Sequence, residues 1–125
     1  SDVTGWKILS TGGTMKEGSL ALVGHQAQKM LATFHVDKAI VSCKGIDMIK
    51  GFSDSSESFA ELKKTMLRCA FQKILAIDSS KFDKIAFIQI GDLQDISMVV
   101  ADKKPDDKWM QVLSGAGVTC LYPEV

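Results

Sequence analysis

Charged, hydroxylated and glycine residues follow several apolar segments of this 125-residue chain. Glycines let backbone N–H groups approach an anion closely, and lysines supply positive charge. Aspartate carboxylates and serine hydroxyls can bond the hydroxyl groups of a sugar. Together these residue types predict a site for a small polyhydroxylated anion. Its candidate anion contacts are Gly12, Gly13, Lys44 and Lys81, its candidate hydroxyl contacts are Asp47 and Asp78, and Gly45 and Gly51 complete this set.

Each of these signals also has a simpler structural explanation. Paired glycines are typical of a plain turn, Lys44 of a solvated surface lysine, and Asp78 followed by serines of a capped turn. His25 and His35 have no partner at ligand spacing, so neither is expected to be catalytic or to bind a metal. No nucleotide-binding, hydrolase or zinc-protease motif occurs in the chain. The prediction therefore depends on whether the fold brings the candidate residues together.

Apolar segments alternate with helical patterns along the chain. Short apolar runs bounded by turn residues predict strands over residues 6–10, 38–43, 73–77, 85–90, 96–101 and 118–122. Helices are predicted over residues 24–34, from a capping box of Ser58 and Glu61, and from residues 105–107 to a C-cap at Gly115. The alternation predicts an α/β fold with right-handed crossovers and a mainly parallel sheet flanked by helices. In such sheets ligands bind beyond the carboxyl ends of the strands, where most of the candidate residues stand.

The composition argues against several classes of protein. Its 15 basic and 15 acidic side chains cancel, whereas a domain that binds nucleic acid by itself usually carries a basic excess. The three cysteines lack the spacing of a zinc site or a disulfide framework, so we expect reduced thiols in an intracellular protein. No apolar run is long enough to span a membrane, and no signal peptide opens the chain. We therefore expect a cytoplasmic protein with no membrane partner, metal or cofactor.

Two stretches of the chain carry a more specific signal. They read DKAIVSCKGIDMIKGFS and AELKKTMLRCAFQKILAIDSSKF, and they resemble the C-terminal effector domain of DeoR-type transcriptional repressors of sugar metabolism. The resemblance covers nearly the whole chain, including the STGG and VVADKKP motifs. Its most specific part is the spacing of residues 78–82 from residues 45–47 across one helix. The other shared residues are Gly24, Asp37, Lys38, Gly51, Lys63, Met66 and Ala70.

The resemblance implies a three-layer domain similar in fold to ribose-5-phosphate isomerase and CoA-transferase domains. Such domains bind a phosphorylated sugar or a related metabolite and assemble into dimers or tetramers, while an N-terminal winged helix-turn-helix binds the operator. In this family the effector domain begins earlier, with a strand and a phosphate-cradling Gly-Thr-Thr loop. Residues 1–125 are therefore expected to be the C-terminal part of one truncated effector-binding domain, without its first half and without the DNA-binding domain. An unpaired sheet edge would also favour a homo-oligomer.

Lys63 stands where the related isomerases place a catalytic glutamate. A lysine ammonium is a poor base but a good phosphate partner, so Lys63 joins the candidate ligand-binding residues. The family often has a glutamate where this chain has Phe59, which leaves no sugar-hydroxyl contact at that position unless Glu57 or Glu61 replaces it. We expect a sensor rather than an enzyme. An isomerase-like enzyme or CoA-transferase-like domain, and a purely structural oligomerisation module, are the alternatives.

Overall fold

The structure is a computed structural model that describes residues 14–15, 22–23, 29 and 32–124 of the chain. A short antiparallel pair is formed by β1 (Thr14–Met15) and β2 (Leu22–Val23). The predicted strand over residues 6–10, the candidate residues Gly12 and Gly13, and seven of the eleven residues of the helix predicted over 24–34 lie outside the described residues. Of the others in that helix, Lys29 is helical, whereas residues 32 and 33 form a turn.

A four-stranded parallel sheet forms the centre of the described fold. Its strands are β3 (Val36–Val41), β6 (Ala70–Ile77), β8 (Met98–Ala101) and β9 (Thr119–Leu121), in the order β3-β6-β8-β9. All three pairings are parallel. The prediction of an α/β fold with a mainly parallel sheet is confirmed. The strands predicted over residues 38–43, 73–77, 96–101 and 118–122 are confirmed with shifted ends.

A second sheet, separate from the parallel one in its strand pairing, was not predicted. It is antiparallel and contains β4 (Gly45–Asp47), β5 (Gly51–Asp54) and β7 (Ile88–Gly91), in the order β4-β5-β7. The segment around Gly45, for which no strand is predicted, is one arm of a hairpin. Strands of three and four residues are too short to show a repeating apolar pattern. The strand predicted over residues 85–90 is found later, as β7.

The first helix, α1 (Glu57–Cys69), contacts β3, β5 and β7. The predicted capping box of Ser58 and Glu61 is wrong, because the helix begins at an earlier serine. Ser56 has extended backbone angles, and its Oγ accepts a hydrogen bond from the Phe59 N–H at 3.3 Å. The Glu61 carboxylate instead pairs with Lys64 on the helix surface.

The second helix, α2 (Asp107–Gly115), packs against β9. Its N-cap is Asp106, whose carboxylate accepts a hydrogen bond from the Trp109 N–H at 2.8 Å. The predicted C-cap at Gly115 is wrong, because Gly115 is still helical and Gly117 takes the left-handed conformation with φ of 77°. Neither described helix is long and apolar enough to cross a membrane.

One apolar core joins the two larger sheets to α2. Ile46 and Phe52 of the antiparallel sheet are 0% exposed, as are Leu75 and Val99 of the parallel sheet, and Trp109 of α2 is 1% exposed. All five belong to a single cluster of packed residues. Burial of large apolar side chains is the main stabilising term in folding, so the loops between these elements are held by a common framework.

Gly51→Ala is expected to destabilise the protein by at least about 2 kcal/mol. Gly51 has φ of 73°, and an added Cβ would lie 2.1 Å from the Gly91 carbonyl oxygen. Gly115→Ala is the matched control, because nothing lies within 4 Å of its Cβ position and alanine favours a helix. Urea unfolding of both variants measures the difference. Equal unfolding midpoints would contradict the prediction.

Candidate functional site

A cavity of about 520 Å³ opens at the carboxyl edge of the parallel sheet. It collects residues that follow three neighbouring strands, β3, β6 and β8, as the topology of parallel sheets requires. Three of the candidate residues, Lys44, Asp78 and Lys81, are brought together here. The lining residues are Ser42, Cys43, Lys44, Ala76, Ile77, Asp78, Lys81, Val100, Ala101 and Asp102.

Asp78 begins a tight turn at the end of β6 (Ser79–Lys81 in 3₁₀ conformation). We call residues 78–81 the effector turn. The Asp78 carboxylate accepts hydrogen bonds from the Ser80 N–H at 2.9 Å and from the Ser80 hydroxyl, and it forms an ion pair with Lys81 Nζ at 2.9 Å. The Lys81 ammonium, then the Ser80 hydroxyl and N–H, hold the pKa of Asp78 well below its ordinary value. Asp78 is therefore ionised at neutral pH and acts as a hydrogen-bond acceptor.

Asp102, at the end of β8, holds the effector turn from the neighbouring strand. Its carboxylate accepts hydrogen bonds from the Ser79 N–H at 2.7 Å and from the Ser79 hydroxyl at 3.4 Å. Asp102 was missing from the predicted ligand-binding set. Its position directly after a predicted strand, within the VVADKKP motif, was the signal that identifies it. The cavity thus has two carboxylates on adjacent strands.

Lys44, which follows β3, contributes a positive charge to the lining of the same cavity. Its backbone N–H donates to the Ser53 carbonyl oxygen at 2.8 Å, which fixes the start of the hairpin. Among the residues that the structure describes, no carboxylate forms an ion pair with its ammonium group. Within the described part of the chain, the charge of Lys44 is thus not balanced by an ion pair. The neighbouring Cys43 is inert, because burial raises the pKa of its thiol to about 11.

Lys44 also borders a second cavity of about 330 Å³, between β3 and α1. Here Lys63 forms an ion pair with Asp54 at 2.5 Å, with side chains 16% and 2% exposed. The Lys63 ammonium also lies 5.9 Å from the centre of the Phe59 ring. Lys63 was expected to contact a phosphate, and in the structure its charge is already balanced by Asp54.

The sequence did not indicate a role for Asp54, because nothing in its spacing distinguishes it from an ordinary turn residue. It accepts further hydrogen bonds from the Ser55 N–H at 2.7 Å and the Ser56 N–H at 3.3 Å. Burial is the largest influence on its pKa and raises it. The hydrogen bond and charge of Lys63 and the two backbone N–H groups outweigh burial, so the pKa lies below its ordinary value.

The candidates Gly45, Asp47 and Gly51 do not line the cavity. An added Cβ at Gly45 would lie 2.4 Å from the Lys84 carbonyl oxygen, so close backbone packing accounts for this glycine. Asp47 closes the hairpin turn by accepting hydrogen bonds from the N–H groups of Ile49 and Lys50, at 3.0 and 2.8 Å. No group of metal-binding side chains occurs among the described residues.

A parallel α/β sheet with a cavity at its carboxyl edge is typical of domains that bind small molecules. Residues 1–103 of the chain match the family described as the DeoR C terminal sensor domain. The match covers well over half of the chain, and the chain belongs to this family. The resemblance found in the sequence is confirmed. The family is one of sensor domains rather than enzymes.

Several curated regulators are similar to the chain. HTH-type transcriptional regulator YulB of Bacillus subtilis (strain 168) is 42% identical over 106 residues, which are 85% of this chain and 41% of the relative. The L-fucose operon activator of Haemophilus influenzae is 34% identical over 81% of this chain and 41% of its own length. HTH-type transcriptional repressor GlcR of Bacillus subtilis is 30% identical over 99% of this chain and 48% of its own length. The chain spans less than half the length of these relatives.

Lys63→Met is expected to lower the free energy of unfolding by about 3 kcal/mol, because it leaves the buried Asp54 carboxylate without its partner. Lys64→Met is the matched control on the same helix. Its ion pair with Glu61 is solvent-exposed, at 33% and 44%, so the expected loss is below about 0.5 kcal/mol. Chemical denaturation of both variants measures the difference, and equal losses would argue against a buried pair.

The stability of the protein is expected to fall in acid partly because of Asp54. A carboxyl whose folded pKa is depressed stabilises the fold fully above its ordinary pKa of 3.8. That contribution is lost as the pH falls through 3.8 and then through the folded value. Unfolding measured between about pH 6 and pH 3 should therefore show a weaker pH dependence in Asp54→Asn than in the original protein. Superimposable pH dependences would contradict the assignment.

Proposed function

We propose that this chain is the effector-sensing part of a transcriptional regulator of sugar metabolism, and that the cavity at the carboxyl edge binds a phosphorylated sugar. The observation that carries the proposal is the convergence of Lys44, Asp78, Lys81 and Asp102 on one cavity. Its volume of about 520 Å³ falls within the range typical of small-molecule sites. The sensor-domain family supports the regulatory role. The names of two relatives support it too, since one is an L-fucose operon activator and GlcR is a transcriptional repressor.

In the proposed complex Lys44 binds the phosphate and the carboxylates bind the sugar. Lys44 has no competing ion pair among the described residues, so it is the natural partner of a dianion. Asp78 and Asp102 are acceptors that face hydroxyl donors. Lys81 adds a second positive charge while keeping Asp78 ionised. Whether Gly12, Gly13 and Lys63 add contacts to the ligand stays a prediction.

The same residues disfavour the isomerase alternative. Proton transfer between sugar carbons needs a base with a pKa near the working pH. The pKa of Asp78 and that of Asp54 both lie below the ordinary value for aspartate, and the Cys43 thiol stays protonated. Lys63, at the position of the isomerase glutamate, forms an ion pair with Asp54. These groups bind and orient a ligand better than they move a proton.

We further propose that residues 1–125 form the C-terminal part of one effector-binding domain in a longer cytoplasmic regulator. DNA is bound by a helix-turn-helix domain outside this chain, in keeping with the zero net charge of the chain itself. Binding of the sugar phosphate changes the arrangement of a homo-oligomer and so the spacing of its DNA-binding domains. A ligand does this only if its affinity differs between the two arrangements.

The proposal predicts that a sugar phosphate raises the melting temperature of the full-length protein, whereas the matching unphosphorylated sugar does not. The probes are ribose 5-phosphate, glucose 6-phosphate, fructose 6-phosphate and fructose 1-phosphate at millimolar concentration. Lys44→Met should weaken the affinity for the active probe about 10- to 100-fold, because a charge-assisted contact is lost. Lys108→Met changes an exposed lysine that does not line the cavity and should leave the affinity unaltered.

Two results would count against this function. One is a melting temperature that no probe changes, which is what an oligomerisation module predicts. The other is an equal loss of affinity in Lys44→Met and Lys108→Met, which would show a non-specific charge effect rather than a contact in the cavity.

A further inference from the structure

The effector turn is followed by two residues that fix its exit from the cavity. Phe82 pairs with Ile46 of β4 in an isolated parallel bridge, and the Asp83 N–H donates to the Ile46 carbonyl oxygen at 2.8 Å. Asp83 has φ of 62°, and it is the one non-glycine residue with positive φ in the described part of the chain. Residues other than glycine rarely adopt this left-handed backbone conformation without support, and aspartate tolerates it better than most.

The support comes from Trp109 on helix α2. The indole Nε1–H donates a hydrogen bond to Asp83 Oδ1 at 3.1 Å. The ring of Trp109 also packs on the ring of Phe82, with centres 5.0 Å apart and planes inclined by 56°. Trp109 is 1% exposed, so it belongs to the core. A buried side chain therefore holds the exposed kink.

Both ends of the effector turn are thus held by one short stretch of chain. Asp102 binds Ser79 at the start of the turn, and Trp109 binds Asp83 just after its end. Residues 102–109 connect β8 to the first turn of α2. Asp78 and Lys81 lie between the two attachments, so their positions in the cavity depend on both.

We propose that Asp83 and Trp109 are positioning residues for the effector cavity. The indole N–H bond stabilises the left-handed conformation at Asp83, and this conformation sets the direction in which Asp78 and Lys81 enter the cavity. Neither residue lines the cavity itself. The positioning role concerns the protein without ligand, whereas its effect on affinity rests on the proposed function.

The test is hydrogen exchange of the full-length protein, followed by mass spectrometry of the peptide that contains residues 78–83. Trp109→Phe keeps the aromatic packing but has no N–H, and Asp83→Gly keeps the left-handed backbone but has no acceptor. Each should raise the exchange rate of these amides roughly three- to tenfold, the equivalent of one hydrogen bond. Asp83→Asn retains an acceptor oxygen, so its exchange rate should remain close to that of the original protein. In the double variant the exchange rate should be little higher than in either single variant, because the same hydrogen bond is lost in all three.

Unchanged exchange in Trp109→Phe and Asp83→Gly would overturn the proposal. Equal acceleration in the peptides of β6 and α1 would overturn it too, because it would mark general destabilisation. A ligand arm with the four sugar phosphates separates the two proposals. If the variants exchange faster in the turn but the original protein binds no probe, the positioning role is supported and the sugar-phosphate function is contradicted. Binding with equal affinity and equal exchange in all variants supports the function and removes the positioning role.

Discussion

The parallel register of the central strands is the constraint on which the cavity depends. Ile77 pairs with Ala101, so the next residues, Asp78 and Asp102, leave the sheet side by side. Strand β3 is in parallel register with β6 on the other side, which adds its own terminal residues to the same edge. A slip of one residue would turn the buried Leu75 outward. The apolar pattern of the strands therefore sets the geometry of the polar site.

Charge balance decides what the site can do. Each of the two cavities contains an ion pair, Asp78 with Lys81 and Asp54 with Lys63. These pairs keep their carboxylates ionised and orient them before any ligand arrives, which lowers the cost of ordering side chains on binding. Lys44, at the border of both cavities, is left with an unbalanced charge among the described residues. An anion placed there would gain a charge-assisted contact without breaking any ion pair of the described residues.

The central part of the fold could be predicted from the sequence, whereas the hairpin could not. Residues 74–77 and 98–101 are continuous apolar runs, which are typical of buried parallel strands. The hairpin depends on Gly45 and Gly51, and each fits because a carbonyl group from a distant segment occupies the space of a side chain. Because that contact exists only after folding, the sequence does not reveal it. From the sequence alone, the two glycines therefore resembled an anion-binding loop. For the same reason Asp54 could not be predicted from the sequence, because its ion pair with Lys63 forms only when α1 packs against the hairpin.

Part of the site could be predicted from the sequence because it depends on local contacts, whereas the rest depends on the packing of the core. Asp78 and Lys81 are close in the chain, and their pairing is a local event that needs only a turn. The orientation of that turn is not local, because it is fixed by Trp109 through Phe82 and Asp83. Trp109 is a buried core residue of α2, and the N–H at the edge of its ring also bonds Asp83 beside the cavity. A buried aromatic residue with one hydrogen-bond donor can thus link the packing of a helix to the geometry of a binding site.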